Sequence, residues 1–235
     1  MDVEFYATRA QADVLATRRR SESAYDNLPD QLLFFGFIDL ADSSNYRISN
    51  GAKKGYVRSE TFFSLIKTVI QPCTDVQLIK EIGDEVFLVC PHLRPLFESM
   101  ILIYQTARQL SAVAGDSDFP FTVRMAIGQG TVKRLNRTSP DFLGTPIDQL
   151  SRLMSLRSDR TRFMIHEDAF RNAGDVLREY SEFLSVGDPT PLSKGESKSM
   201  ISHVFYRELY VDHAKLLGFG KHFVPWASSR PDAGE

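Results

Sequence analysis

The chain has 235 residues, 43% of them hydrophobic and 25% charged, which suits one soluble, well-filled core with appendages. A net charge of −2 supplies no basic field, so no nucleic-acid partner is expected. No apolar run is long enough to span a bilayer, the first 30 residues hold no apolar signal core, and Cys73 and Cys90 lack metal-ligand spacing; a cytoplasmic protein without a membrane partner is expected.

Residues 1–30 are polar and mixed in charge, with a short amphipathic stretch from Ala10 to Arg18, and read as an extension. One domain is expected over 31–210, followed by a tail over 211–235 that becomes progressively disordered. The near-continuous apolar run 31–40 predicts a central strand buried on both faces. The Ser- and Asn-rich stretch 43–55 predicts a helix start running into a loop. From Ser59, a plausible N-cap, apolar residues at 62, 65, 66, 69 and 70 predict a helix that Pro72 ends.

Residues 76–90 predict a hairpin, and 93–114 a long amphipathic helix. In 121–135, Phe121, Val123, Met125 and Ile127 alternate onto one face of a strand. Thr145-Pro146-Ile147-Asp148 has the form of a capping box, so a helix should run from there to about Leu156. Strands are expected at 162–167 and 202–209. Strand–helix–strand–strand–helix–strand is the order of an α+β, ferredoxin-like split βαβ sandwich.

Two acids stand at the ends of buried strands: Asp39 in "LLFFGFIDLADSS" and Asp84 in "LIKEIGDEVFLVC". An unpaired carboxylate is expensive to bury, so each needs a cation or several donors. In this fold the first strand neighbours the hairpin, so Asp39 can lie beside Asp84. A divalent ion would remove their repulsion while binding phosphate oxygens. Ser43 and Ser44 follow at a helix start whose N–H groups can face an anion. Metal and helix start together suggest a nucleoside triphosphate. The ordinary alternatives are that Asp84 caps a turn and that Asp39 pairs with an arginine such as Arg124.

Four segments in order resemble the class III nucleotide cyclases: "FIDLADSS", "IKEIGDEVFLV", "VRMAIGQGTV" and "DFLGTPIDQLSRL". Together they cover about residues 32–167. The resemblance implies that Asp39 and Asp84 bind two Mg²⁺ or Mn²⁺ ions. It places Lys80 and Asp141 at the base-recognition positions, and Arg152 where an arginine neutralises the reacting phosphate. Lys194 loosely matches a late triphosphate-binding lysine. The implied protein is a head-to-tail homodimer, metal aspartates of one subunit facing the base and arginine residues of the other.

Asp148 stands where the family has a ribose-orienting asparagine, and an ionised acid cannot donate a hydrogen bond. It can instead complete the capping box and pair with Arg152 at i,i+4. Lys80 and Asp141 have bland readings too, as a solvated strand residue and a loop acid. Gln129 replaces a histidine common in the family, while His166 and His203 read as structural or surface residues.

A lysine donor beside an aspartate acceptor suits adenine, cytosine or uracil and suits guanine least. The short architecture resembles the stand-alone pyrimidine cyclases of bacterial anti-phage (Pycsar) systems, with Tyr46 and Tyr56 as residues able to narrow the base pocket. UTP is therefore favoured, then CTP, with ATP the competitor. The rivals are a diguanylate cyclase, which "IGDEV" echoes, and an inactive nucleotide-binding domain. The effector that would receive the product is not readable.

Overall fold

The structure, a computed structural model, describes residues 3–114, 121–135, 141–156, 162–192 and 204–219. Helix α1 spans Val3–Asp26, β1 Asp30–Leu40, α2 Ser43–Asn50, α3 Ala52–Ile70, β2 Gln77–Ile82, β3 Glu85–Cys90 and α4 Leu93–Ala114. Then come β4 Val123–Leu135, β5 Asp141–Leu143, α5 Thr145–Met154, β6 Arg162–His166, α6 Glu167–Arg171 and α7 Gly174–Glu179. Strands β7 Leu184–Val186, β8 Thr190–Pro191 and β9 Phe205–Val211 lead to α8 His213–Phe219.

The strands of the described residues join in one sheet, ordered β2-β3-β1-β4-β6-β9-β7, with β5 on β4 and β8 on β9. Its first four strands, each antiparallel to its neighbour, are the expected ferredoxin-like unit. Three further strands extend it beyond β4, starting with β6 in parallel. The last six residues of β1 are buried, enclosed by β3 and β4, so Asp39 is held in a fully hydrogen-bonded central strand.

Side-chain alternation sorts the sheet into two cores. Ile38, Leu40, Val86, Leu88 and the four alternating residues Phe121, Val123, Met125 and Ile127 face α3 and α4. Phe35, Phe37, Phe87 and Val89 face the other way, with Leu150 and Leu153 of α5. The rings of Phe37 and Phe87 stack at 4.7 Å. Val132 and Phe142 join this second core with Ile79, so the β4–β5 arm folds over it. Gly130 admits α5: a Cβ there would meet Pro146 at 2.3 Å.

Several boundaries depart from the sequence reading. The N-terminal extension is a long helix rather than a short amphipathic piece. Helix α3 starts seven residues before Ser59, because Gly51, at φ 86°, turns the chain directly from α2 into it. Ser59 lies inside the helix, its hydroxyl donating back to the Gly55 carbonyl at 3.2 Å. The first two turns of α3 are too polar to show the apolar period, which becomes legible only from Phe62. Helix α5 begins at Thr145, with Gly144 as N-cap and no side-chain cap, so the capping box does not form. The tail past Val211 forms α8; the rest of it lies outside the described residues.

Candidate active site

Strand pairing sets the first corner of the site. Asp39 sits opposite Glu85 on β3 and opposite Arg124 on β4. The Leu40 N–H donates to the Asp84 carbonyl at 3.2 Å, which fixes the β2–β3 turn against the end of β1. That turn needs Gly83 at φ 66°, the left-handed region, so the "GDE" joint is a geometric requirement as well as an acidic one. Asp39 is buried and Asp84 and Glu85 are half-buried.

These carboxylates crowd one another. Burial pushes the Asp39 carboxyl above its usual range, outweighing the Arg124 guanidinium that stabilises its charge, and Asp84 adds to the rise. Burial, then Asp39 and Asp84, push Glu85 up to about 7. Arg124 donates to the Asp39 carboxylate, the ordinary pairing that the sequence also allowed. Its Nε–H is nonetheless buried with no hydrogen-bond partner among the described residues. Asp84, for its part, stands in the turn.

The arrangement fits a divalent ion. Among the described residues no group of three His, Cys, Asp or Glu side chains could hold one alone. Magnesium does not need such a cage, since one or two carboxylates, substrate phosphates and waters suffice. A crowded acid pair beside a guanidinium with an unused donor suits a cation arriving with an anion. Ser43, buried, and Ser44, exposed, open α2 three residues after Leu40 and four after it.

The second corner lies across the hairpin. Lys80 on β2 pairs with Asp141 on β5 at 3.0 Å, although 61 residues separate them. Asp141 also accepts from the Phe142 N–H at 2.9 Å, and Lys80 lies 5.8 Å from the centre of the Phe87 ring. Glu85 feels both corners: Asp39 and Asp84 push its carboxyl up, while Arg124 and Lys80 hold it down.

No protein-family model matches the sequence, and no curated protein matches it. Solved structures do. The adenylyl cyclase CyaB from P. aeruginosa aligns with a TM-score of 0.58 at 17% identity, over 77% of this chain and 96% of that one. The adenylate/guanylate cyclase/hydrolase from Silicibacter pomeroyi gives 0.60 at 17%, over 79% and 99%. The guanylate cyclase domain of RhGC from Catenaria anguillulae, in complex with GTP, gives 0.58 at 12%, over 78% and 99%. The chain has the cyclase catalytic fold.

Within that cyclase fold, Asp148 and Arg152 lie on the exposed side of α5. No ion pair joins them among the described residues, nor does either pair with the two corners. Lys194 and His203 lie outside the described residues. Tyr46 is buried, with the Arg58 guanidinium 4.6 Å from its ring centre, so its ring packs inside the protein; Tyr56 is exposed on α3. Gln129 accepts from Asn172 at 2.7 Å, tying β4 to the residue after α6.

Sequence reasoning named Arg124 as a possible partner for Asp39 but missed Arg58 altogether. Its signal was available: a cation at a position where the period of Phe62, Leu65, Ile66 and Val69 calls for an apolar side chain.

Proposed function

We propose that the protein is a nucleotide cyclase that converts a nucleoside triphosphate to its 3′,5′-cyclic monophosphate and pyrophosphate. UTP is favoured, then CTP, and the product would serve as a second messenger in bacterial anti-phage defence. The observation that carries the cyclase reading is the crowded Asp39–Asp84–Glu85 corner beside the Lys80–Asp141 pair on a cyclase fold. The pyrimidine preference and the defence role rest on the sequence resemblance. The burial of Tyr46 leaves Tyr56 as the remaining residue for narrowing the base pocket.

In this reading Asp39 and Asp84 hold two Mg²⁺ or Mn²⁺ ions. Bound there, the ions would acidify the ribose 3′-hydroxyl and neutralise the leaving phosphates. Arg124 can turn from Asp39 to phosphate oxygens once other cations take over the carboxylate. Its planar fork suits that exchange. The N–H groups at Ser43 and Ser44 face the triphosphate, with Lys194 as a further candidate ligand. Lys80 donates to the base and Asp141 accepts from it. The 3′-hydroxyl gives its proton to water, the 3′-oxygen bonds to the α-phosphorus, the bond from that phosphorus to the bridging β-phosphate oxygen breaks, and pyrophosphate leaves with the electron pair. Arg152 stabilises charge on the α-phosphoryl oxygens and Asp148 accepts from the ribose.

One chain carries both sets of residues, so the reading implies a head-to-tail homodimer with two shared sites, in which Asp39 and Asp84 of one protomer face Lys80, Asp141 and Arg152 of the other. ATP is the second reading, since the donor–acceptor pair at Lys80 and Asp141 serves adenine equally well. An inactive nucleotide-binding domain is the third. Incubating purified protein with each triphosphate and Mn²⁺, and identifying the products by mass spectrometry, tests all three. Cyclic UMP or CMP is expected. Cyclic AMP as the main product would end the pyrimidine reading, and no cyclic product at all would end the cyclase reading.

A further inference from the structure

Arg58 breaks the pattern of its own helix. It lies four residues before Phe62 on the buried face of α3, and only 2% of its surface is exposed. A buried guanidinium gives up its hydration and needs partners in exchange. Two of its contacts share one neighbourhood. Arg58 donates to the Ala41 carbonyl at 3.1 Å and lies against the Tyr46 ring. Burial works against its charge, while Tyr46, Asp42, Asp84 and Asp39 support it.

All of these contacts converge on the turn that follows Asp39. The Leu40 N–H is held by the Asp84 carbonyl, and the Ala41 N–H by the Thr122 carbonyl at 2.8 Å. Arg58 supplies the third hold, on the Ala41 carbonyl, and does so with a side chain. The next residue, Asp42, has φ 60°, and is the one non-glycine residue with positive φ among those described. A non-glycine residue in that region is strained and persists where its surroundings over-determine it. Asp42 does not cap α2; its carboxylate accepts from the Asn45 amide instead.

We propose that Arg58 is a positioning residue: by gripping Ala41 from behind, it fixes the turn between Asp39 and Ser43 in the conformation that receives the metal-bound triphosphate. The proposal rests on the cyclase reading. Arg124 and Arg58 then divide the work. Arg124 lies on the Asp39 carboxylate and must release it when the cations bind. Arg58 lies behind the turn, never touches substrate, and keeps its contacts throughout.

The test compares full-length wild type, Arg58→Met and Arg58→Lys. Methionine fills similar space without charge or donor, and replacing a buried ion by an apolar residue is often tolerated. Hydrogen exchange of the amides at 40–46 should quicken about tenfold or more in R58M, while exchange at 60–70 in α3 stays at the wild-type rate. With Mn²⁺ and the preferred triphosphate, KM should rise about tenfold with kcat held within about threefold, because a binding surface is lost and the chemistry is not. R58K, which keeps a donor for Ala41, should recover most of both effects. Unchanged exchange at 40–46, or an equal rise throughout α3, would overturn the positioning role. A wild type that cyclises no triphosphate would defeat the cyclase reading, and the exchange comparison would still decide the role of Arg58.

Discussion

Both corners of the site pair an acid with a base across the sheet, yet they differ in what surrounds the pair. The side chains of Asp39 and Arg124 are 8% and 20% exposed; those of Asp141 and Lys80 are 21% and 38% exposed. At the outer corner one cation meets one anion in contact with water. At the inner corner Asp39, Asp84 and Glu85 crowd together beside Arg124, and two of the carboxyls are shifted upward. A half-exposed pair contributes little to stability and can rearrange around a ligand at small cost. A buried, crowded group is poised for a cation and is costly to disturb.

The largest effect should therefore come from Asp39. Asp39→Ala should lower turnover about 10²–10³-fold at saturating Mn²⁺, as expected for loss of a group that stabilises transition-state charge. Steady-state product formation checks it. Residual turnover within a few-fold of wild type would make the two corners equivalent and remove the metal assignment.

Arg124→Met comes next and reads out in stability. Removing the guanidinium leaves the carboxylates uncompensated in metal-free buffer, with a destabilisation of about 3 kcal/mol, the lower end for a broken buried pair. Millimolar Mn²⁺ should restore the melting temperature of R124M by more than it raises that of wild type, because the ion replaces the lost cation. Equal metal-induced shifts in the two proteins would mean that Arg124 does not stand in for the metal.

At the outer corner the expected pattern reverses. Lys80→Ala should change stability by less than about 1 kcal/mol, given the exposure of the pair. Its effect should fall on base choice: kcat/KM ratios among the four triphosphates should shrink about tenfold or more, since a site loses discrimination with its specific hydrogen bond. If the ratios survive in K80A, the base is read elsewhere on the protein.

How much of this was legible in the sequence follows the same divide. The apolar run of β1, the alternation of Phe121, Val123, Met125 and Ile127, and the Gly83-Asp84 turn all report local geometry, and the α+β sandwich followed from them. The approach of Asp39 to Asp84 needed one further inference, the strand order. The early start of α3 was hidden because residues 52–58 are held by packing against α2, where Gly55 passes under Arg47, and not by an apolar period. The failed capping box has a similar cause. Gly144 is pinned against the Thr131–Val132 backbone, which places it, not Thr145, at the helix start. Arg58 was missed because a cation in an apolar period reads as noise until the carbonyl it serves is seen.

The smallest expected effect lies away from both corners and serves as their control. His166 ends β6 and caps α6, its Nδ1 accepting the Asp168 N–H at 3.3 Å. Burial lowers its pKa below the ordinary 6.5, outweighing the nearby Asp168 and Glu167. The neutral ring is thus the folded form, and the unfolded chain takes up the proton more readily. Stability from this group is complete above about pH 6.5 and is lost as the pH falls through the lowered folded value. The raised carboxyl of Glu85 has the opposite sign, since the folded state binds the proton more tightly as pH falls from about 7. His166→Asn keeps a capping acceptor but does not titrate. The melting-temperature difference between wild type and H166N should shift against wild type between pH 7.5 and 5, leaving in H166N the trend set by the carboxylates. An unchanged difference would remove His166 from the acid response of this protein.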